Sequence, residues 1–292
     1  MLGPAQLAAL SAIHRQGSFD RVAAELSVTP SAISQRLKAL EERLGTRLIR
    51  RGQPCTATEA GLRIIRHHDD IALLEQTLAG DLPGLAAPRA TLRIAVNADR
   101  LATCVLPALA AVEGVLFNLV IDDKDVSQDW LKRGEVLGAI TSHPGPLQGC
   151  DTMPLGALRY RATASPAYVA RHMPQGATAE ALAAAPALRF NEKAYLQHLW
   201  AARQTGGTVT RLPCHQIASA SGFVEACLLG VGWSMNPEAL VKDHLTSGRL
   251  QELAPNTPLD VSLNWQFARL AAPALAPLTK ALKASAARRL VN

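Results

Sequence analysis

The sequence predicts a multidomain α/β chain. It opens with a winged helix-turn-helix, continues through a long linker helix and ends in a two-lobed α/β domain. Three observations carry this. A Thr29-Pro30 helix start is followed by a one-sided apolar pattern. A seam of apolar residues spaced 4, 3, 4, 3 and 4 runs from Ala60 to Leu78. From Thr91 onward, strand-like and helix-like segments alternate.

In the first unit, Gln6–Arg15 reads as an apolar helix with Leu7, Leu10 and Ile13 inward. Gly17-Ser18 closes it, and Ser18 can cap a second helix to Leu26. After a turn at Ser27-Val28, Thr29 suits the N-cap and Pro30 the first helical position. Ile33, Leu37, Leu40 and Leu44 then fall on one side of the third helix, and Ser31, Ser34, Gln35 and Lys38 on the other. A solvated face is usually rich in Glu and Lys. Hydroxyls, an amide and one cation are instead the groups that bond base edges and phosphates. Leu44-Gly45 stops the helix, and Arg47–Pro54 reads as a short basic hairpin, with Arg50 and Arg51 placed over a phosphate backbone. Residues 1–66 hold 10 Lys and Arg against 5 Asp and Glu. The DNA-facing set is therefore Ser18, Thr29, Pro30, Ser31, Ser34, Gln35, Lys38, Arg50 and Arg51, within a domain of residues 1–58.

Thr58 can cap the linker helix, residues 59–79. Ile64, His67, Ile71, Leu74 and Leu78 continue the seam from Ala60, narrow enough to pair with a second copy. Packing on its own domain is the alternative. His67-His68-Asp69-Asp70 is not read as a metal site, because adjacent helical residues diverge. Gly80–Pro88 breaks the helix and gives a hinge at 80–90.

Residues 91–292 form the second domain. Strands at Thr91–Asn97, Leu116–Asp122 and Val136–Thr141 alternate with helices at Leu101–Val112 and Val126–Arg133. This predicts a parallel sheet in lobe I, about 91–162 and 267–292. Lobe II, about 163–266, has strands at Ala187–Phe190, Cys214–Ala218 and Gly232–Met235, with helices at Tyr195–Arg203 and Ser221–Leu229. Arg159–Ala164 and Leu263–Leu270 read as crossing strands, and Ala276–Leu290 as a returning helix. A ligand belongs at the carboxyl ends of the strands. The candidates there are Asn97, Asp99, Arg100, Asp123, Asp125 and Thr141 in lobe I, and Phe190, Ser219, Ser221 and Asn236 in lobe II. The helix start at Ser219–Ser221 would take a carboxylate and the aspartates a cation. For any single aspartate, a cap or an exposed loop charge is the alternative.

Composition sets limits. The net charge of +6 suits a polyanionic partner. No apolar run approaches the length needed to span a membrane, and nothing at the amino terminus resembles a signal peptide, so a cytoplasmic protein is expected. Five scattered cysteines read as reduced thiols, with redox sensing by one of them the alternative. No catalytic motif, cofactor fingerprint or metal motif stands out. Ser219-Ala220-Ser221-Gly222 lacks the first glycine of a nucleophile elbow, and Gly230-Val231-Gly232 precedes a strand. The chain is read as a non-enzyme without cofactor.

The order Gly-Ser-Phe, Ala-Ala, Thr-Pro-Ser-Ala-Ile-Ser, Leu-Glu, Leu-Gly, Leu-Ile-Arg-Arg and Thr-Glu-Ala-Gly over residues 6–66 resembles the amino-terminal domain of LysR-type transcriptional regulators. Leu48-Ile49 stands where that family usually has Leu-Phe. Farther on, Ile94–Asp99, Leu101-Ala102-Thr103, Leu106–Leu109, Arg133–Ile140, Leu155–Tyr160 and Pro213-Cys214-His215 are similar to the ArgP/LysG branch. The resemblance implies a periplasmic-binding-protein-like effector domain that senses L-lysine or L-arginine. It also implies double-stranded operator DNA as partner, a homodimer or homotetramer, and control of a basic amino acid exporter gene, with RNA polymerase a partner if the protein activates. Arg100 stands where a serine is expected in that branch. A cation in the cleft would favour a neutral or anionic metabolite instead. A binding protein or enzyme with an incidental helix-turn-helix is the remaining alternative.

Overall fold

The computed structural model describes residues 2–82, 90–121, 127–209 and 211–291. The chain forms two compact units, residues 1–92 with 114–116, and residues 93–113 with 117–292.

The first unit contains α1 (Pro4–Gln16), α2 (Phe19–Glu25), α3 (Pro30–Leu44), β1 (Ile49–Arg50), β2 (Thr56–Ala57) and α4 (Glu59–Asp81). Gly17 and Gly45 end α1 and α3 in the left-handed conformation. The Thr29 hydroxyl accepts the Ala32 N–H at 3.2 Å. Ser18 sits at the N-cap of α2, but its side chain makes no capping bond. The core gathers Leu10, Ile13, Val22, Ile33, Leu37, Leu40, Leu48 and Ile65, each a position where the apolar period turns inward. Leu44, expected on that face, is exposed, because the helix runs past the core before Gly45 stops it.

α4 runs two residues past its expected end. The seam on it divides. Ala60 and Ile64 pack against the core of their own unit, while Leu74 and Leu78 lie exposed at 65% and 49%. The first turn is held close by Gly61, where a Cβ would come within 2.1 Å of the Leu48 carbonyl oxygen. The expected hinge falls largely outside the described residues.

After α4 come β3 (Thr91–Val96), α5 (Ala98–Arg100), a π-helical turn (Leu101–Val105) and α6 (Leu106–Leu109). A single helix over Leu101–Val112 was expected. Pro107 has no N–H to give an α-helical ladder, and the Thr103 hydroxyl donates to the Asp99 carbonyl at 2.8 Å, so the turn widens there. Next come β4 (Leu116–Ile121), α7 (Ser127–Lys132), β5 (Gly138–Thr141), β6 (Cys150–Ala164), α8 (Pro166–His172) and α9 (Ala179–Ala184). The rest is β7 (Ala187–Arg189), α10 (Leu196–Gln204), β8 (Cys214–Gln216), α11 (Ala220–Leu228), β9 (Ser234–Pro237), α12 (Glu238–Thr246), β10 (Gln251–Glu252), β11 (Leu259–Ala268) and α13 (Ala272–Arg289).

One sheet runs β10-β6-β11-β5-β3-β4, with β9 also paired to β6. β3 and β5 are parallel, as the alternating pattern requires. β7 and β8 form a second, parallel pair. β6 is far longer than the expected crossing strand and β11 slightly longer, together an antiparallel ribbon pairing Leu259 with Tyr160 at one end and Ala268 with Cys150 at the other. Pro154 and Gly156 obscure this in the sequence. The structure accommodates them where the register slips, Leu263 facing Gly156 and Asn264 facing Pro154, with Gly156 at φ +113°. β11 therefore belongs to the large sheet, which also takes in β9 and β10.

Candidate functional site

One concavity in each unit gathers residues singled out by the sequence. In the first unit, a groove of about 880 Å³ is lined by Ser31, Ser34, Gln35 and Lys38 of α3, with Arg47 and Arg51 from the wing. Ser31, Gln35 and Lys38 are exposed and Ser34 is half-buried, as the helical period demands. Lys38 lies 3.6 Å from Glu42 one turn on. Arg51 stacks over the Phe19 ring at 5.7 Å. Arg50 is exposed on β1, beside the groove lining, and Pro30 and Thr29 are exposed at the start of α3. Ser18 is half-buried.

The wing is positioned by Glu41, through a tie that no local pattern announces, and by Thr58, which bonds the wing in addition to forming its expected cap. Glu41 Oε1 accepts N–H groups from Leu48 at 2.7 Å and Ile49 at 3.3 Å, tying β1 to α3. Thr58 Oγ1 donates to the Arg47 carbonyl at 2.8 Å and accepts the Gly61 N–H at 3.0 Å. The surface combines hydroxyl and amide groups with fixed guanidinium groups, the mixture that duplex DNA requires.

In the second unit, a cavity lies at the carboxyl end of β3. Asn97, Asp99 and Arg100 line it from lobe I and Phe190 and Asn236 from lobe II, so five of the predicted effector residues come together. Tyr160, Tyr195, Gln197 and Phe223 also line it. Asn97 Oδ1 accepts the Arg100 N–H at 3.0 Å, which starts the helical turn and presents Asp99. The buried Tyr160 hydroxyl donates to Asp99 Oδ2 at 2.9 Å. Burial, reinforced by Asp99, holds that hydroxyl well above the ordinary tyrosine range, so it remains a donor.

Arg100 is 1% exposed, and its Nη1 donates to the Ile140 carbonyl at the end of β5. On the lobe II side, Gln197 donates to the Leu188 carbonyl at 2.6 Å and Asn236 donates to Thr163 Oγ1 at 2.9 Å. This leaves Gln197 Oε1 and Asn236 Oδ1 buried without a donor. A buried acceptor without a partner is costly, and a donor-rich ligand would supply one. The open volume among these side chains is only about 50 Å³, well under the few hundred Å³ of an ordinary ligand pocket, so side chains must move to admit a ligand. Tyr195, about half exposed, is the large lining side chain with most solvent around it.

Three of the predicted effector residues lie elsewhere. Thr141 is fully buried and accepts the His143 N–H at 3.1 Å. Ser219 caps α11 by accepting the Gly222 N–H at 3.0 Å and lies 3.2 Å from the Ser221 hydroxyl. None of the three lines the cavity. Asp123 and Asp125 lie outside the described residues.

Among the described residues, no group of three or more His, Cys, Asp or Glu is placed to hold a metal ion, and no helix is long and apolar enough to cross a membrane. Burial pushes the thiols of Cys104, Cys150 and Cys214 up and that of Cys227 to about 12, which keeps them protonated and poorly nucleophilic.

A helix-turn-helix with a basic wing and a two-lobed ligand-binding domain together define a one-chain transcriptional regulator. The chain belongs to the LysR family. Residues 4–62 match the bacterial regulatory helix-turn-helix protein, lysR family, and residues 85–287 the LysR substrate binding domain. It is 40% identical over 285 residues to the HTH-type transcriptional regulator LysG of Mycobacterium bovis, covering 97% of this chain and 93% of that one. The crystal structure of ArgP from Mycobacterium tuberculosis matches with a TM-score of 0.81 and 38% identity, over 100% of this chain and 99% of that one. The full-length LysG of Corynebacterium glutamicum with bound effector Arg matches with a TM-score of 0.68 and 36% identity, over 99% of this chain and 100% of that one. These relatives place the chain in the LysG/ArgP branch.

Proposed function

We propose that this regulator senses a basic amino acid, L-arginine or L-lysine, in the cavity at the end of β3 and controls transcription of a basic amino acid exporter gene. The observation that carries the reading is the acceptor set of the cavity. Asp99 supplies a carboxylate fixed by Tyr160, and Gln197 and Asn236 supply two buried oxygens lacking donors. A guanidinium or ammonium group brings several N–H donors and a positive charge to such a wall. The relative with bound effector Arg agrees in ligand chemistry.

A neutral or anionic effector is the second reading, favoured by Arg100 in the cavity wall. The bond from Arg100 to the Ile140 carbonyl weighs against it, since that guanidinium is engaged with the backbone.

Ser31, Ser34 and Gln35 are proposed to meet base edges, and Lys38, Arg47, Arg50 and Arg51 phosphates. In this reading residues 1–58 bind operator DNA and residues 91–292 bind the effector. The exposed Leu74 and Leu78 of α4 support pairing with a second copy as a dimer or tetramer. The regulator would act in the cytoplasm without enzymatic activity, and would engage RNA polymerase if it activates. A ligand changes transcription only by binding one arrangement of the assembly more tightly than another.

The test is selection of duplexes from random sequence by the full chain, followed by binding measurements with and without L-arginine. The reading predicts two related half-sites and an affinity or footprint that shifts with L-arginine. Selection without enrichment would overturn it.

A further inference from the structure

The second unit carries another concavity, away from the proposed effector cavity. It is a groove of about 890 Å³ on lobe II, within the usual range of ligand sites. Arg189 at the end of β7, His198 on α10 and Arg211 before β8 converge on it. Arg189 lines the groove, and its Nε is buried with no acceptor. A guanidinium N–H removed from water without a partner is costly, more so because it belongs to a charged group. Among the described residues that line the groove, Glu180 is the only acid, and it belongs to the first turn of α9.

We propose that this groove is a second ligand site, for a small anion bearing a phosphate or carboxylate group. The Arg189 and Arg211 guanidinium groups and the His198 imidazole would surround the same anion with positive charge. Planar guanidinium groups suit such oxyanions because they can donate two parallel bonds. Burial and the neighbouring Arg189 push the His198 imidazole below its ordinary value. An anion placed between them would raise it again. The groove backs onto the effector cavity through consecutive residues, since Arg189 precedes Phe190 and His198 follows Gln197.

The full chain in phosphate-free buffer is titrated with inorganic phosphate, with sodium chloride at matched ionic strength as the reference. Calorimetry and the His198 imidazole resonance are followed together. Binding at the groove moves that resonance and raises its titration midpoint with phosphate but not with chloride. Arg189→Gln and Arg211→Gln each weaken phosphate binding on the order of tenfold. Arg211 is exposed, so its variant tests the site even if Arg189→Gln folds poorly. Two results overturn the proposal. One is an equal response to chloride. The other is phosphate binding that survives both substitutions and leaves His198 unmoved, which would place an adventitious ion only, for instance on the basic first unit.

Discussion

The groove proposed to face DNA and the cavity proposed to hold the effector are built in opposite ways. The groove draws on residues 31 to 51, two neighbouring elements whose faces follow from a helical period and a hairpin. The cavity draws on residues 97 to 261, reaching from the turn after β3 through β6, α10 and α11 to β9 and β11. The groove is open and tolerates surface change. The cavity has little open volume, and its buried polar atoms must find partners in their neighbours or in a ligand. Changes in the groove should therefore alter affinity in small, separable steps, while changes in the cavity should act together.

The largest expected effect tests what holds the groove together. Gly61→Val would force a side chain into the Leu48 carbonyl. It should cost the first unit about 3 kcal/mol or more and abolish duplex binding, measured by thermal unfolding and fluorescence anisotropy. Next comes the reading face itself. Ser34→Ala with Gln35→Ala should cost roughly 2 kcal/mol of operator affinity and relax sequence preference, without changing melting temperature. If affinity and preference both survive, α3 is not the reader. Arg51→Gln should be milder, weakening all duplexes alike and reducing the salt dependence of binding by about one unit in slope.

The smallest effect belongs to neither site. Arg159 holds the Asp260 carboxyl below its ordinary value through paired hydrogen bonds of 2.8 and 2.7 Å on the β6–β11 ribbon. A depressed carboxylate adds stability at neutral pH and loses it as pH falls below about 4. The wild type should therefore lose melting temperature in that range slightly more steeply than Asp260→Asn. The pair is partly exposed, so the difference should be small, and ligand affinity should not change.

The same contrast explains what was legible in the sequence. Thr29-Pro30, Gly45 and the spacing of Ile33, Leu37 and Leu40 are local signals, and local signals define a helix and its two faces. Asn97, Asp99 and Arg100 could be found because cleft residues follow strands. Tyr160 and Gln197 could not. One lies on a strand broken in pattern by Pro154 and Gly156, the other at the start of a short helix. Their convergence with Asp99 depends on tertiary pairing. Ser219 is ambiguous in the sequence, since a hydroxyl at a helix start reads equally well as an anion ligand or as the cap it forms. Leu74 and Leu78 of the expected seam are exposed, whereas Ile64 packs against the core near the close approach at Gly61.

The most direct test of the central claim is calorimetric titration of the full chain with L-arginine and L-lysine, using L-leucine and L-glutamate as controls. The account predicts binding of the basic pair alone, weakened on the order of 100-fold by Asp99→Asn at unchanged melting temperature. Preference for L-leucine or L-glutamate, or an Asp99→Asn variant that binds L-arginine like the wild type, would contradict it.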